Sequence, residues 1–414
     1  MEVLVIIAII TAAYMAWNIG ANDVANSMAD AVGSKALTIF WAVVLAGICN
    51  FCGAVLVGAH VTDTVRKGII DPQAFAHDPR MLAHGMVCAM LAAALWLNLA
   101  SYLGMPVSTT HSIIGAIVGF GILQAGFGHI HWDKLGQIVA SWFISPLAGG
   151  IMAFIIFKLI SRYILSVDKP ALAARKGVPV CVFFTFTILI LSIIYKGLKN
   201  IHLYLGGPHA ILLSVAGGLI AAGISALFTR RNCGCNGELP LEQQLAQVER
   251  IFAVQVMFTS CTVAFAQGAN DVANAIGPLA AVIEIAKSNS IPGQVPVSIW
   301  LLVLGGVGIA VGLSTFGYRV MRLVATRVAE ITPSRGVSAD LAVIGTVLAC
   351  SKMGLPISTT HTLVGAIIGV GLARGITAVD RRVVGSIFAS WLATIPIAAA
   401  LTMLLYLIGG WLFW

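Results

Sequence analysis

The chain has 414 residues, of which 24 are lysine or arginine and 16 are aspartate or glutamate, so only 10% of it is charged. A soluble domain of average composition carries about 25% charged residues, whereas 59% of this chain is hydrophobic. This balance excludes a disordered chain and a collagen-like fibre. It also argues against a soluble globular enzyme, because a soluble surface needs more charge. We therefore expect a chain that uses lipid as its solvent.

The formal net charge of +8 does not indicate nucleic-acid binding. The basic residues lie in short loops between apolar runs, not interleaved with aromatic residues on one solvated face. Basic loops instead indicate the cytoplasmic side of a membrane protein. The chain begins with Met1 and Glu2 and enters an apolar run at once, which predicts a retained helix rather than a signal peptide. Cys233 and Cys235 share a polar loop without a nearby histidine or further cysteine, so we expect no metal site there.

Long apolar runs predict the membrane-spanning segments. A spanning helix needs about 20 apolar residues, and the alternation typical of an outer-membrane barrel is absent. The predicted fold is an all-α polytopic membrane protein with about 12 transmembrane or hairpin helices. The candidate segments are approximately 2–29, 38–59, 82–101, 106–123, 136–163, 178–196, 209–229, 251–286, 297–318, 338–352, 356–374 and 384–412.

Three motifs occur twice and divide the chain into two repeats. The heptapeptide Gly-Ala-Asn-Asp-Val-Ala-Asn occurs at 20–26 and at 268–274, an offset of 248. The sequence Gly-x-Pro-x-Ser-Thr-Thr-His ends at His111 and again at His361, and Ala-Ser-Trp ends at Trp142 and Trp391, with offsets of 250 and 249. We predict a first repeat at 1–165, two connecting helices with a polar cytoplasmic loop at 166–250, and a second repeat at 251–414.

Loop charge predicts that the two repeats are inverted relative to each other. The loops near 160–177, 230–250 and 319–335 are rich in arginine and lysine and are assigned to the cytoplasm. Both termini lack these residues and are assigned to the outside, so the first repeat starts outside and the second inside. Each repeat holds a short pair of segments broken by Gly-x-Pro, which predicts a helical hairpin. Inverted repeats with interrupted segments at matching positions are typical of secondary transporters, with the substrate site at the repeat interface.

The heptapeptide places an ionisable residue inside an apolar segment. Asp23 and Asp271 are functional candidates, because an intramembrane carboxylate costs about 2.5–3.5 kcal/mol on insertion scales. Asn22 and Asn26 share a helix face beside Asp23, and the preceding glycine is expected to break the helix and admit a ligand. Carboxylate and amide oxygens suit Na⁺ or a shuttled proton. The alternative is a polar clamp between helices.

The second motif is typical of a helix N-terminus that binds an anion. Proline fits a first helical turn, and Ser108, Thr109 and Thr110 then offer hydroxyl groups and unpaired backbone N–H groups at the positive end of the helix dipole. Two such termini would surround a tetrahedral oxyanion without a buried arginine. Simple capping by serine is the alternative and does not exclude binding.

The remaining motif residues have weaker functional interpretations. His111 and His361 are candidates for proton coupling, but a structural role is favoured. Lys352 has Tyr102 as its counterpart, so a side-specific or snorkelling role is favoured over a shared site. The glycines spaced by four after each hairpin predict close helix packing.

The doubled heptapeptide and the doubled Pro-x-Ser-Thr-Thr-His closely resemble the inorganic phosphate transporter (PiT) family over essentially the whole chain. The resemblance implies a symporter that couples phosphate uptake to Na⁺ or H⁺, with no cofactor, and its short central loop is similar to that of compact prokaryotic members. It also implies the site residues. Phosphate ligands are expected at Asn22, Ser108, Thr109, Thr110, Asn270, Ser358, Thr359 and Thr360, and ligands of the coupling cation, sodium if the symport is sodium-coupled, at Asp23, Asn26, Asp271 and Asn274.

We therefore expect a non-enzymatic symporter of the cell membrane that is surrounded by lipid and gives phosphate alternating access to the two sides; monomer and homo-oligomer both stay open. Three alternatives stay open: a sulfate or other oxyanion permease of the same fold, a passive anion channel or sensor, and a membrane hydrolase. The hydrolase is disfavoured, because a catalytic triad has no reason to occur twice in inverted elements.

Overall fold

The computed structural model describes residues 1–58, 69–194, 207–232, 239–291, 297–327, 331–352, 358–375 and 380–413. Cys233, Cys235 and the turn residues 353–357 lie outside this part, as does the side chain of Lys352. The described chain forms thirteen α-helices: α1 (Glu2–Gly33), α2 (Ile39–Val57), α3 (Pro79–Tyr102), α4 (Thr109–Ala125), α5 (Trp132–Ile160), α6 (Pro170–Ser192), α7 (Gly207–Asn232), α8 (Leu241–Ser288), α9 (Ile299–Thr315), α10 (Tyr318–Arg327), α11 (Pro333–Lys352), α12 (Thr359–Arg374) and α13 (Arg381–Phe413).

The predicted all-α membrane fold is confirmed. The described residues of the chain contain no β-structure beyond one isolated antiparallel bridge between Ile70 and Ile130. Eight of the described helices are long and apolar enough to cross a membrane: α1, α2, α3, α5, α6, α7, α8 and α13. Helices α4 and α9 are apolar but have only 17 residues each, about 26 Å at 1.5 Å per residue.

Three predicted loops are partly helical. Helix α8 begins at Leu241, inside the predicted loop 230–250, because Gln244 and Val248 continue its buried face. Within the predicted loop 319–335, α10 is amphipathic, with Val320 buried and Arg322 exposed. Helix α6 begins at Pro170 and so includes part of the loop predicted at 160–177. Basic residues that hydropathy assigns to loops can therefore lie on the first turns of helices.

The two halves of the chain interlock helix by helix. Helix α1 packs against α9, and its counterpart α8 packs against α2. In the same way, α4 packs against α13, and its counterpart α12 packs against α5. The motif helices α1 and α8 also contact each other, while α6 and α7 pack mainly together, with α6 against α8. Reciprocal contacts of this kind are what a pseudo-two-fold relation between two repeats predicts.

The glycine that begins each heptapeptide allows two helices to touch and does not break its own helix. Gly20 and Gly268 both lie within continuous helices, so the predicted break is wrong. A Cβ atom at Gly20 would lie 2.0 Å from the carbonyl oxygen of Ile309, and one at Gly268 would lie 2.1 Å from that of Asn50. Their small size therefore positions the motif by backbone contact with the neighbouring helix.

The predicted packing of the glycines after each hairpin is confirmed. A Cβ atom at Gly119 would lie 2.4 Å from the carbonyl oxygen of Ala399, and one at Gly369 would lie 2.1 Å from that of Gly150. These contacts hold the second leg of each hairpin against the last helix of the other half. The N-termini of α4 and α12 are thereby fixed near the middle of the structure.

Candidate functional site

The second motif forms a capped helix N-terminus in both copies. Ser108 precedes α4 and accepts a hydrogen bond from the backbone N–H of His111 at 3.2 Å. Ser358 precedes α12 and accepts one from the backbone N–H of His361 at 3.3 Å. Capping is therefore confirmed at both serines. Pro106, however, lies before the cap and not in the first helical turn, so that part of the prediction is wrong.

On α1, the first heptapeptide bonds to the second hairpin, which consists of α11 and α12. The Nδ2 atom of Asn26 donates to Thr360 Oγ1 at 2.7 Å and to Asp23 Oδ1 at 2.9 Å. The Thr360 hydroxyl also lies 3.5 Å from Asp23 Oδ1. A carboxylate, an amide and a hydroxyl thus meet where the N-terminus of α12 approaches α1.

On α8, the second heptapeptide bonds to the first hairpin, which consists of α3 and α4. Asn274 donates through Nδ2 to Thr110 Oγ1 at 3.2 Å and to Thr109 Oγ1 at 3.4 Å. Asn274 and Thr110 are the counterparts of Asn26 and Thr360 at the repeat offsets. The structure therefore places each motif helix against the hairpin of the other half, by the same pair of residues.

Asn22 has a different role, because it bonds to the turn of the hairpin in its own half. Its Nδ2 atom donates to Ser101 Oγ and to the carbonyl oxygen of Met105, both at 3.1 Å, and its Oδ1 atom accepts from the backbone N–H of Val107 at 3.2 Å. Asn22 is fully buried, whereas its counterpart Asn270 is half-buried. The turn that Asn270 would meet lies outside the described residues.

The centre of the site is buried and rich in oxygen atoms. Asp23 is 0% and Asp271 4% exposed, and the two carboxylates are close enough for their charges to interact. Asp23 Oδ2, Asn26 Oδ1 and Asp271 Oδ2 have no hydrogen-bond partner within the described part of the chain. Buried acceptors without donors are costly. Such an arrangement fits a cation that these oxygens would coordinate.

Gln267 is a further polar residue of this centre that the sequence motifs did not reveal. It is buried, and its Nε2 atom donates to the backbone carbonyl oxygen of Asp23 at 2.7 Å. Its counterpart at the repeat offset is Ile19, so comparison of the repeats gives no signal for it. The sequence signal for Gln267 was its position directly before the second heptapeptide. Gln267 links the two motif helices directly.

The two motif histidines meet between the hairpins. The rings of His111 and His361 are 4.7 Å apart, edge to face, and both residues are buried. His361 stacks on Trp391 at 3.6 Å, and His111 lies 4.9 Å from Trp142. The repeated tryptophans thus enclose the histidine pair, an arrangement expected of packing residues.

The serine beside each tryptophan bonds within its own helix. Ser141 donates to the carbonyl oxygen of Ile138 at 2.6 Å, and Ser390 donates to that of Ile387 at 2.7 Å. The Trp391 indole reaches across to the first hairpin instead and donates to the carbonyl oxygen of Pro106 at 3.1 Å. In this motif the tryptophan, rather than the serine, connects the two halves.

These contacts combine two kinds of chemistry in one buried centre. The N-termini of α4 and α12 supply hydroxyl groups and the positive ends of two helix dipoles, which favour an anion. The heptapeptides supply carboxylate and amide oxygens, which favour a hard cation. Ser108, Thr109, Ser358, Thr359 and Thr360 are all buried, and Thr110 is half-buried.

Comparison with known proteins shows the family of the chain. The sequence profile of the phosphate transporter family matches residues 19–402. A protein of Pyrococcus abyssi that carries the provisional name phosphate permease is 43% identical over 98% of both chains. Inorganic phosphate transporter 2-1, a chloroplastic protein of Arabidopsis thaliana, is 42% identical over 94% of this chain and 70% of its own length.

A solved structure described as the sodium-dependent phosphate transporter superimposes on this chain with a TM-score of 0.89. The two sequences are 38% identical, and the alignment covers 98% of each chain. The match of profile, sequence and fold extends over nearly all of the chain. The protein therefore belongs to the phosphate transporter family.

Proposed function

We propose that the protein is a cation-coupled symporter of inorganic phosphate that works by alternating access. The observation that carries this proposal is the reciprocal pair Asn26–Thr360 and Asn274–Thr110. It brings two carboxylates and two helix N-termini to one centre. A family of phosphate transporters and a sodium-dependent structural neighbour support phosphate as the anion and Na⁺ as the cation.

In this mechanism the cation binds first at the carboxylates. Asp23 and Asp271 lie close together, so two negative charges oppose an incoming anion until cations offset them. The unpartnered oxygens of Asp23, Asn26 and Asp271 supply ligands for Na⁺. The neutralised centre then accepts phosphate. Cation and anion each raise the affinity for the other by the same factor, since linkage is reciprocal.

Phosphate is held by the two helix N-termini in this proposal. Ser108, Thr109 and Thr110 on the first hairpin, with Ser358, Thr359 and Thr360 on the second, offer hydroxyl groups and first-turn N–H groups in place of its hydration shell. Asn270 completes this set of ligands, and Asn22 joins it when phosphate replaces the bonds that its amide N–H groups make to the first hairpin. The anion bridges the hairpins, so its arrival favours the state in which both are docked on the motif helices.

Alternating access is proposed to follow from the two halves, 1–165 and 251–414, moving relative to each other while 166–250 connects them. The pair Asn26–Thr360 is buried, whereas Thr110 is half-buried. In this proposal the first hairpin is therefore less tightly closed over the centre than the second. In the opposite access state the second hairpin would be the less tightly closed of the two.

The proposal places the protein in the cell membrane with both termini outside and the basic loops inside, and it assigns no catalytic step. The apolar helix α7 is exposed along most of its length, with Leu212 70% and Ile220 66% exposed. Such a face suits lipid or a second copy of the chain. The oligomeric state is a matter for measurement in lipid nanodiscs.

The decisive experiment is uptake of labelled phosphate by proteoliposomes under an imposed Na⁺ gradient, and separately under a pH gradient. We expect accumulation driven by Na⁺, and its loss in Asp23→Asn and Asp271→Asn. The matched control is Asp133→Asn, which changes an exposed aspartate at the start of α5 and should leave uptake unchanged.

Other outcomes select the alternative functions. Preferential uptake of labelled sulfate identifies a sulfate permease, and phosphate flux that only dissipates its own gradient identifies a channel. Accumulation driven by pH alone replaces Na⁺ with H⁺ as the coupling ion. Normal coupled uptake in both motif aspartate variants contradicts the proposed cation site.

A further inference from the structure

A second pair of buried carboxyl groups lies outside the phosphate site. Asp30 is on α1, seven residues or two helical turns beyond Asp23, and Asp340 is on α11. Asp30 is 1% and Asp340 0% exposed. A Cβ atom at Gly336, one helical turn before Asp340 on α11, would lie 3.2 Å from Asp30 Cβ, so Asp30 packs against the part of α11 that carries Asp340. We call these two residues the acid pair.

The hydrogen bonds around the acid pair are unequal. Asp340 Oδ2 accepts from the hydroxyl groups of Thr259 at 2.6 Å and Ser260 at 2.8 Å, both on α8. If both groups were ionised, Asp30 Oδ1, Asp30 Oδ2 and Asp340 Oδ1 would have no donor among the described residues. Three oxygens without donors and two neighbouring buried negative charges are costly unless a positive charge offsets them.

The geometry points to one exchangeable proton, carried by Asp30 and donated to Asp340. Two hydroxyl donors favour the ionised form of Asp340, because hydrogen bonds to a carboxylate stabilise its charge. Asp30 has no such donor in the described structure. As a neutral acid it supplies the donor that Asp340 Oδ1 lacks. A single proton therefore satisfies the contact between the two groups.

Neither residue of the acid pair is repeated in the other half of the chain. At the offsets that relate the motifs, Asp30 corresponds to Pro278 and Asp340 to Met90. The proton site therefore is not a copy of the phosphate site. It joins α1 and α8, which carry the heptapeptides, to α11, the first leg of the second hairpin.

The surroundings isolate the pair from solvent. Ala31, Val256, Val337 and Leu341 belong to a buried apolar cluster next to it, at the end of α8 and α11 that faces the predicted cytoplasmic loops. The charged group that faces each carboxyl is the other carboxyl. The charge of Asp340 acts on the thiol of Cys261 on α8, and Cys49 on α2 lies against Cys261. Exchange of the proton therefore requires α11 to move away from α1.

Infrared spectroscopy of the purified full-length protein in lipid tests this inference without a transport measurement. We expect a carboxylic-acid C=O band that persists in saturating Na⁺. Asp30→Asn should remove that band completely, because the amide replaces the acid as the donor to Asp340. Asp340→Asn should keep the acid and shift its band. Asp133→Asn is the matched control, and its spectrum should equal that of the unchanged protein.

Asp23 and Asp271, as Na⁺-bound carboxylates, should give no acid band in saturating Na⁺, so a band that persists there belongs to another carboxyl group. Three results overturn the inference: no acid band in Na⁺, a band that Asp30→Asn leaves intact, or loss of the Asp30-dependent band on adding Na⁺, which would identify a sodium site. The first test uses the unchanged protein and does not depend on the variants folding. Failure of phosphate uptake would leave these spectra unaffected.

Discussion

Removal of one hydroxyl group should affect the two matching threonines by different amounts. Thr360→Val and Thr110→Val each replace a threonine by a residue of nearly the same shape. Thr360 is 1% exposed and bonds Asn26 at 2.7 Å, with Asp23 Oδ1 3.5 Å away. Thr110 is half-buried and accepts one bond, from Asn274 at 3.2 Å.

The expected magnitudes follow from burial. Loss of a buried partner leaves the Asn26 amide under-satisfied and costs about 1–3 kcal/mol. At Thr110 water can replace the hydroxyl group, so the cost is about 0.5–1 kcal/mol. We assume that both hairpins dock when phosphate binds. Thr360→Val should then lower the affinity for phosphate about 5–150-fold, and Thr110→Val should lower it about 2–5-fold.

The assay is isothermal titration of purified protein with phosphate at fixed Na⁺, and with Na⁺ at fixed phosphate. Because linkage is reciprocal, the coupling between the two ions should be measurable from either titration. Thermal unfolding of each variant without ligand separates an effect on binding from an effect on folding. Equal losses in the two variants, or a larger loss in Thr110→Val, would refute the reasoning from burial.

Three further predictions concern helix packing and hairpin docking. Asn22→Ala removes three hydrogen bonds to the first hairpin, so amide hydrogen exchange in the turn of that hairpin should become about 5–150-fold faster. The control Asn18→Ala should leave this exchange rate unchanged, because the Asn18 amide donates only within α1. Gly20→Ala places a Cβ atom 2.0 Å from a backbone oxygen, so it should lower the free energy of unfolding by about 1–3 kcal/mol. The control Gly136→Ala places its Cβ atom in open space and should be neutral or stabilising. His361→Asn loses ring packing worth about 0.5–1.5 kcal/mol and should lower thermal stability without shifting the pH profile of uptake; a shifted profile would assign a proton-coupling role to His361.

Much of the architecture could be predicted from the sequence because two sequence signals, the apolar runs and the repeated motifs, were strong. Apolar runs indicated the spanning helices, and motifs repeated at offsets of 248–250 indicated which elements correspond. The helix N-termini at Ser108 and Ser358 followed from the chemistry of capping alone. These features depend on local sequence, so no knowledge of the packing was needed to find them.

The remaining features depend on contacts between distant segments. The bond between Asn26 and Thr360 joins residues 334 apart in sequence, and nothing in either motif specifies that a heptapeptide meets the hairpin of the other half. Gly20 was interpreted as a helix breaker because its neighbour on α9 is invisible in the sequence. Gln267 and the acid pair have no repeated counterparts, so a search for duplicated residues misses them.

The sequence is more symmetric than the structure, and this difference would bias the proposed symport cycle towards one of its two access states. The motif residues are nearly identical in both copies, so by themselves they give the two access states similar energies. Three buried polar residues without a repeated counterpart lie where α1 contacts α8 and the second hairpin: Gln267, Asp30 and Asp340. They are positioned to stabilise the state in which Asn26 and Thr360 are tightly bonded. In the proposed cycle the repeated residues therefore determine what is bound, and the unrepeated ones determine which side is open at rest.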